Sequence, residues 1–501
     1  MPSRRLLEEF GRWVERSPDS PAVIGSGGTC SYGELDRLAH RARETVRGVP
    51  SGPVCVPASK SVETLALLLG CWAEDRGVLL PSEDLGGTVL GSLAARAGCS
   101  VLLTPAVTPD ERFTVAVRRL PGEREEAPAT PGTDALLLLT TSGSTGLPKT
   151  VPLSDTGVLE FHRWASDRFS LGPGRRVLSY APLNFDLSLL DVWSALASGA
   201  TTVLVDPRRA TEGRYLRDLI VEHEVGLVQS VPMLFGMLTD HVGESGLPAV
   251  TDVLITGDTV RKSLVAEIGA MAPNARLFNV YGCTETNDSL VHEFDTSELG
   301  DSGRVPLGFP AAGVSTRIVD SASRVVRGEG TGELYVSTPF QAEGYLDPEA
   351  TAEKFVPDPA GQTEDIYFRT GDIVTRSEEG TIFLEGRDDY HVKVRGVRTN
   401  LAEIEHVINE HPQIREAAVV AVPDEWAGKR ICAYVSPLEG AARAELTTLG
   451  IRKYCGQRLA RTSIPGKVRI VQRPLPRTST GKIDRKAIQQ EEERGFSDVA
   501  G

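Results

Sequence analysis

Leu136-Leu137-Leu138-Leu139-Thr140-Thr141-Ser142-Gly143-Ser144-Thr145-Gly146-Leu147-Pro148-Lys149-Thr150 is the stretch on which the reading of the chain turns. The four leucines read as a short buried strand. The residues after them cannot continue that strand. Gly143 and Gly146 open backbone angles that other residues avoid and let a ligand come close. Thr140, Thr141, Ser142, Ser144 and Thr145 line the run with hydroxyls, and Lys149 adds a positive charge. Backbone N–H groups, hydroxyls and a lysine at a strand end suit a polyphosphate. An ordinary polar turn is the plain alternative, and the density of glycine, hydroxyl and lysine behind a buried strand weighs against it. A Walker loop requires G-x-x-x-x-G-K-[ST]. Pro148 occupies the place of its second glycine; proline fixes φ and lacks the N–H, so a P-loop kinase or NTPase is not expected.

The rest of the chain bounds the answer. At 501 residues it has room for two or three domains with substantial cores. A net charge of −14 speaks against a nucleic-acid surface. No stretch approaches 18 uncharged apolar residues, so neither a secretion signal nor a membrane span is expected, which points to the cytoplasm. The seven cysteines (30, 55, 71, 99, 283, 432 and 455) form no C-x-x-C and are odd in number, which suits free thiols and not a zinc site.

Working outward from the opening stretch, strands and helices alternate. An amphipathic helix starts the chain (Leu6, Leu7, Phe10, Trp13, Val14), and Ser31 with Glu34 forms a capping box for a second helix. Apolar runs at 53–57 and 77–81 flank Thr64–Trp72, and 87–105 repeats the pattern. Pro105 to Pro131 reads as a polar surface connection. After the loop come helix Asp155–Phe169, strand Val177–Tyr180, an apolar helix over 189–196, strand Thr201–Val205, helix Tyr215–His223, strand Gly226–Val231, helix Met233–His241, strand Asp252–Thr256, helix Leu264–Met271 and strand Leu277–Tyr281. This rhythm predicts a doubly wound α/β body, whose ligands bind beyond the C-terminal strand ends. The loop at 141–149, Asp186, Gly257-Asp258-Thr259 and Tyr281-Gly282-Cys283-Thr284-Glu285 all come directly after strands and so belong on one side. From about residue 305, Thr316–Val319, Gly332–Val336 and Thr381–Leu384 read as antiparallel strands. Beyond residue 390 a small α+β unit runs to a short charged tail.

The loop resembles the phosphate loop of the adenylate-forming superfamily: acyl-CoA synthetases, luciferases and the adenylation domains of nonribosomal peptide synthetases. Its pattern is roughly T-S-G-[ST]-T-G-x-P-K-G, and Thr150 departs from it in the last place. Further segments resemble the same family in the same order. Asn279-Val280-Tyr281-Gly282-Cys283-Thr284-Glu285 is similar to N-x-Y-G-P-T-E, with Cys283 for proline. Phe368-Arg369-Thr370-Gly371-Asp372 is similar to Y-x-T-G-D. Gly386-Arg387-Asp388-Asp389 opens a match to G-R-x-D-x-x-V-K-x-R-G-x-R, after which Thr399-Asn400 replaces the usual I-E. Pro476 to Lys486 resembles P-x-T-x-x-G-K-[IV]-x-R-[KR].

The resemblance implies a fold: a large N-terminal domain of doubly wound sheets plus a small antiparallel barrel-like part (1–386), a hinge (387–390, with Asp389 as pivot), and a small mobile α+β C-terminal domain (391–501) carrying Lys482. It also implies roles. Thr141, Ser142, Gly143, Ser144, Thr145 and Lys149 would wrap the ATP phosphates, with Gly257, Asp258, Thr259 and Gly282 also in the ATP site. Tyr281 would stack on adenine, Thr284 would contact the α-phosphate, and Glu285 would hold Mg²⁺. Asp372 would accept from the ribose hydroxyls, and Arg387 would contact phosphate or ribose. Lys482, the catalytic lysine, would bridge the carboxylate and α-phosphate, an electrostatic role.

Phe185-Asp186-Leu187-Ser188 resembles the F-D-x-S of amino-acid-activating members, where the Asp binds the substrate α-ammonium. A buried carboxylate without a partner is costly, so Asp186 before an apolar helix asks for a cation; a helix N-cap is the plain alternative. Alignment by motif places Leu187, Leu190, Met233, Ile255, Gly257, Val280, Asp288 and Ser289 around the substrate. Most are apolar, which favours a small or medium apolar side chain. Proline fits, because the sequence resembles stand-alone prolyl–carrier ligases. Asp288 is discordant and leaves room for a polar or basic side chain. The expectation is a stand-alone amino-acid adenylation enzyme using ATP and Mg²⁺ and passing its product to the phosphopantetheine of a separate carrier protein. A carboxylic acid–CoA ligase and a non-catalytic scaffold on the same fold are the alternatives.

Overall fold

The computed structural model describes residues 4–108, 112–120, 135–141, 148–243, 245–257, 260, 262–294, 305–387, 391–424, 428–437, 446–471, 475–476, 483 and 485–497. The chain forms two compact units: one of residues 1–83, 94–140 and 150–388, the other of 84–93, 141–149 and 389–501.

Two largely parallel sheets carry the larger unit. A nine-stranded sheet runs in the order 309–310, 287–293, 276–283, 252–256, 227–230, 176–179, 201–204, 21–25, 28–31. Its strands from 276–283 through 21–25 are parallel, and antiparallel strands close both edges. A six-stranded sheet has the order 113–119, 101–107, 54–55, 78–79, 135–141, 149–154. Leu136 to Leu139 are all at or below 1% exposure, as four leucines in a central parallel strand should be. One apolar cluster joins the two sheets. Within it Trp72 and Trp193 meet edge to face at 4.4 Å, and the Trp72 indole N–H donates to the Leu136 carbonyl at 3.0 Å.

Local chemistry fixes the helices around these sheets. Ser31 and Glu34 close the capping box of helix Tyr32–Arg47. Helix Arg5–Arg16 is capped from far along the chain: the Asp155 carboxylate accepts from the N–H groups of Arg5 and Leu6 at 2.8 and 3.3 Å. Gly70 lets helix Val62–Ala73 lie against helix Tyr32–Arg47, since a Cβ there would sit 2.8 Å from the Ala39 carbonyl oxygen.

An antiparallel five-stranded sheet comes next, built from 315–319, 330–337, 366–376 and 355–357, with 382–387 paired to 366–376. In the smaller unit a hairpin (391–394 with 397–400) precedes helix Leu401–Asn409. A three-stranded sheet (414–424, 428–437, 467–470) and helices Thr448–Gly456 and Arg485–Ser497 complete it. Glu492 holds the last helix to that sheet. Its carboxylate accepts from the Tyr434 hydroxyl at 2.6 Å, Lys467 at 2.5 Å and Arg469 at 2.7 Å. Thr399 and Asn400, the departure from I-E, are buried to 0 and 1%.

Several expectations need correction. The connection from Pro105 contains an edge strand, Phe113–Arg119, paired antiparallel with Val101–Val107. The apolar stretch at 189–196 opens as a π-helical turn, Leu189–Ser194, and only then becomes α-helical. Strands Asn287–Glu293 and Ile366–Arg376 and helix Arg485–Ser497 were not anticipated. Among the described residues no helix is long and apolar enough to cross a membrane.

Candidate active site

Strand register gathers several of the residues expected around the substrate at one rim of the nine-stranded sheet. Ser230 is level with Ile255, Thr256 with Val280, and Gly282 with Asp288. Strand 176–179 lies beside strand 227–230, and the turn after it carries Asp186. Phe185, Ser188 and Leu189 donate successive backbone hydrogen bonds to Pro182, Phe185 and Asp186. That tight chain sets Asp186, half-buried, at the mouth of the π-helical turn. Single π turns recur at functional sites because the extra residue re-aims the side chains beside it. Leu190, Ile255 and Val280 are buried; Leu187 and Met233 are half-buried. Gly257 takes φ +82° just past strand 252–256.

Ser289 turns inward. Its hydroxyl lies 3.0 Å from both the Thr286 hydroxyl and the Asn287 carbonyl, tying down the turn that precedes it. Asp288 is 9% exposed, with Oδ2 buried and without a hydrogen-bond partner. Burial pushes its carboxyl up to about 8, and the nearby negative charge of Asp186 adds to the rise. The two carboxylates therefore lie within electrostatic reach of each other.

The residues expected around the nucleotide lie on the neighbouring strands and turns. Tyr281 donates its hydroxyl to Asp372 Oδ2 at 2.5 Å, and burial followed by that carboxylate holds the phenol well above its ordinary range. Asp372 sits in strand 366–376, where Gly371 takes φ +76°, and is level with Arg387 across the ladder. Glu285, 1% exposed, accepts from the Tyr345 hydroxyl at 2.6 Å, and its carbonyl accepts from the Ala342 N–H at 2.9 Å. Thr284 is half-buried beside it. Gly282 is obligatory in this hairpin, because a Cβ would meet the Asn287 carbonyl oxygen at 2.0 Å. Cys283 continues the ladder opposite Asn287, so the turn forms without proline. Thr141 ends strand 135–141 and Lys149 begins strand 149–154. Ser142, Gly143, Ser144, Thr145, Asp258, Thr259, Asp389 and Lys482 lie outside the described residues, and the side chain of Arg387 is likewise not described.

The family matches decide the identity. The AMP-binding enzyme family matches residues 10–346. The chain belongs to that family. The AMP-binding enzyme C-terminal domain matches residues 403–482, so both parts of the chain fall in the adenylate-forming superfamily. The chain is similar to phosphinothricin tripeptide synthetase PhsC of Streptomyces viridochromogenes, 32% identical over 96% of this chain and 44% of that protein. It spans less than half the length of the curated relatives it matches first. Among solved structures, the Vibrio cholerae adenylation domain AlmE in complex with glycyl-adenosine-5'-phosphate shares the fold. Its TM-score is 0.81 at 21% identity, covering 99% of this chain and 98% of that one. A double mutant of the o-succinylbenzoate CoA synthetase MenE of Bacillus subtilis also shares it, with a TM-score of 0.79 at 22% identity over 98% of both chains.

Two features of the site were not legible beforehand. Gly344-Tyr345 reads as structural in sequence, yet the Tyr345 hydroxyl meets Glu285. Lys60, which comes after strand 54–55, donates to the Ser179 carbonyl at 2.7 Å. There burial pulls its ammonium down to about 8 and pushes the wholly buried Asp191 carboxyl up to about 7, each opposed by attraction to the other. This pair underlies the strand end from which the Asp186 turn departs. No signal in sequence marks it.

Adenylate-forming enzymes use ATP, typically with Mg²⁺. Among the described residues no group of three or more His, Cys, Asp or Glu is placed to hold a metal ion. A single hard carboxylate such as Glu285 suits Mg²⁺, which keeps waters and takes phosphate oxygens for most of its shell.

Proposed function

We infer that the chain activates an amino acid with ATP, forming an aminoacyl-adenylate and releasing pyrophosphate, and then delivers the acyl group to the phosphopantetheine thiol of a carrier protein. The reading is carried by Asp186, a half-buried acid on the turn that leads into the π-helical stretch, in the place where F-D-x-S members hold the substrate α-ammonium. A carboxylate there pairs with an α-ammonium, a partner that a simple fatty or aryl acid does not bring. The likeness to a peptide synthetase, and the glycyl-adenosine-5'-phosphate in the AlmE complex, point the same way.

The chain's own groups then have these tasks. Asp186 receives the α-ammonium and aims the substrate carboxylate at the α-phosphate; holding the two in register supplies much of the rate. Asp372 accepts from the ribose hydroxyls, which compete with Tyr281 for its oxygens. Tyr281 offers its ring to adenine, and Arg387 lies level with Asp372 to contact ribose or phosphate. Thr141, Ser142, Gly143, Ser144, Thr145 and Lys149 surround the leaving pyrophosphate. Gly257, Asp258, Thr259 and Gly282 complete the nucleotide site, and Thr284 contacts the α-phosphate. Mg²⁺ beside Glu285 offsets phosphate charge when bound. Lys482 neutralises the two anions as they approach, and rotation about Asp389 (hinge 387–390) exchanges the 391–501 domain between adenylation and transfer. Leu187, Leu190, Met233, Ile255, Gly257, Val280, Asp288 and Ser289 select the side chain or support those that do. Neutral proline remains the apolar candidate.

ATP–pyrophosphate exchange tests this. Amino acids should drive exchange at least about 100-fold better than their des-amino counterparts, from the loss of the charge pair between Asp186 and the α-ammonium. Exchange with des-amino acids alone would favour a CoA ligase, and none with any acid a scaffold.

A further inference from the structure

The irregular segment 340–346 is strapped by hydrogen bonds to the turn that carries Glu285. The Phe340 carbonyl accepts from the Asn287 amide at 3.0 Å, the Ala342 N–H donates to the Glu285 carbonyl at 2.9 Å, and the Tyr345 hydroxyl donates to Glu285 Oε1 at 2.6 Å. Both ends of this last bond are buried, Glu285 to 1% and Tyr345 to 2% exposure. The segment has neither helix nor ladder to spend its polar groups on, so these bonds hold its course.

Tyr345 is anchored independently of Glu285. Its N–H donates to the Thr351 hydroxyl at 2.9 Å, and that hydroxyl donates to the Asp347 carbonyl at 2.8 Å, at the start of helix Pro348–Lys354. Gly344 lies so close to Thr351 that a Cβ there would meet its Cγ2 at 2.5 Å. The Tyr345 ring packs edge to face on Phe355 at 5.6 Å. The hydroxyl is therefore a donor whose position is set before it meets the carboxylate. It is also uncharged. A lysine or arginine in its place would orient Glu285 and cancel its charge; a phenol orients the carboxylate and keeps its charge for a cation.

We propose that Tyr345 is a positioning residue, which fixes the Glu285 carboxylate for the Mg²⁺ that accompanies ATP. The proposal rests on the reading above that Glu285 holds this ion. Partners that hydrogen-bond a metal-binding carboxylate fix its orientation, and losing one costs about 10- to 100-fold in metal affinity.

The test uses the full chain and Tyr345→Phe, which removes the hydroxyl and keeps the ring against Phe355. The Mg²⁺ concentration for half-maximal ATP–pyrophosphate exchange should rise by about 10- to 100-fold, with KM for the amino acid within a few-fold of the parent. Calorimetry of ATP binding without amino acid supplies a readout free of turnover. The Mg²⁺ needed to bring ATP affinity halfway to its saturated value should rise in step, while ATP affinity in EDTA stays unchanged. In a Glu285→Gln background Tyr345→Phe should add no further shift. Thr351→Val, which removes the anchor of the Tyr345 N–H, should move the Mg²⁺ dependence in the same direction and serves should Tyr345→Phe not fold. A Mg²⁺ dependence that shifts in Glu285→Gln and not in the Tyr345 or Thr351 variant overturns the proposal alone. One that does not shift in Glu285→Gln overturns the reading of Glu285 and the proposal together. ATP affinity lost equally with and without metal shows a structural role only and also overturns the proposal.

Discussion

Replacing Asp288 by Asn should make the larger unit more stable, and more so as pH rises. The carboxyl is pushed up to about 8 in the fold, whereas in the unfolded chain it ionises near 4. Between those values the unfolded state releases a proton that the folded state keeps. Stability of the parent therefore falls as pH rises, by about 1.4 kcal/mol per unit, until the folded group itself ionises. From pH 5 to pH 8 this amounts to about 4 kcal/mol, a ceiling reached if water stays out of the cleft. Asparagine has the same shape and no proton to lose, so its advantage over the parent should be small at pH 5 and grow steadily. For a unit of roughly 370 residues the unfolding entropy makes this about 5 °C of added melting-temperature difference. Melting curves by tryptophan fluorescence on both ligand-free proteins at pH 5, 6, 7 and 8 give the slope, and other titrating groups cancel in the difference. A constant difference across that range would refute the burial and the Asp186 neighbourhood assigned to Asp288.

Asp186→Ala should raise KM for the amino acid by at least about 30-fold, the lower end for truncating one partner of a buried charge pair. KM for ATP should stay within a few-fold, as steady-state kinetics with each substrate varied will show. Lys482→Ala should lower kcat for adenylate formation by about 10² to 10³ or more, the scale of removing one charge-stabilising donor; a defect confined to thiol transfer would contradict its assigned role. Gly282→Ala should cost about 1–3 kcal/mol in unfolding, because the new Cβ meets backbone that cannot swing aside. A neutral result in urea melts would show that the 282–288 hairpin is looser than described.

How much of this was legible in the chain depends on the constraints each segment must satisfy. Leu136–Leu139 and the other parallel strands are buried on both faces, so they announce themselves as short apolar runs, and Ser31 with Glu34 announces a helix start by its own hydrogen bonds. Strand Phe113–Arg119 escaped because an edge strand tolerates exposure; most of its residues are exposed and it ends in two arginines. Thr370-Gly371-Asp372 reads as a turn, and Gly371 does take a left-handed conformation, yet it does so inside an 11-residue strand paired with three other strands, one of them more than 30 residues earlier in the chain. The π turn at Leu189–Ser194 differs from an α turn by one hydrogen-bond register, which apolar periodicity does not encode. Asp186 could be singled out because an acid before an apolar helix is anomalous by itself. Asp288 stands out in sequence as an acid among apolar positions, whereas its burial depends on the 282–288 hairpin, which sequence pattern does not encode.

The most direct test of amino-acid activation is identification of the adenylate itself. The full chain would be incubated with Mg²⁺, ATP and a mixture of amino acids and des-amino acids, quenched, and the acyl-AMP species identified by mass spectrometry. The account predicts an aminoacyl-AMP from the parent chain and its loss in Asp186→Ala. Adenylates formed only from acids lacking an α-amino group, or no adenylate at all, would contradict it.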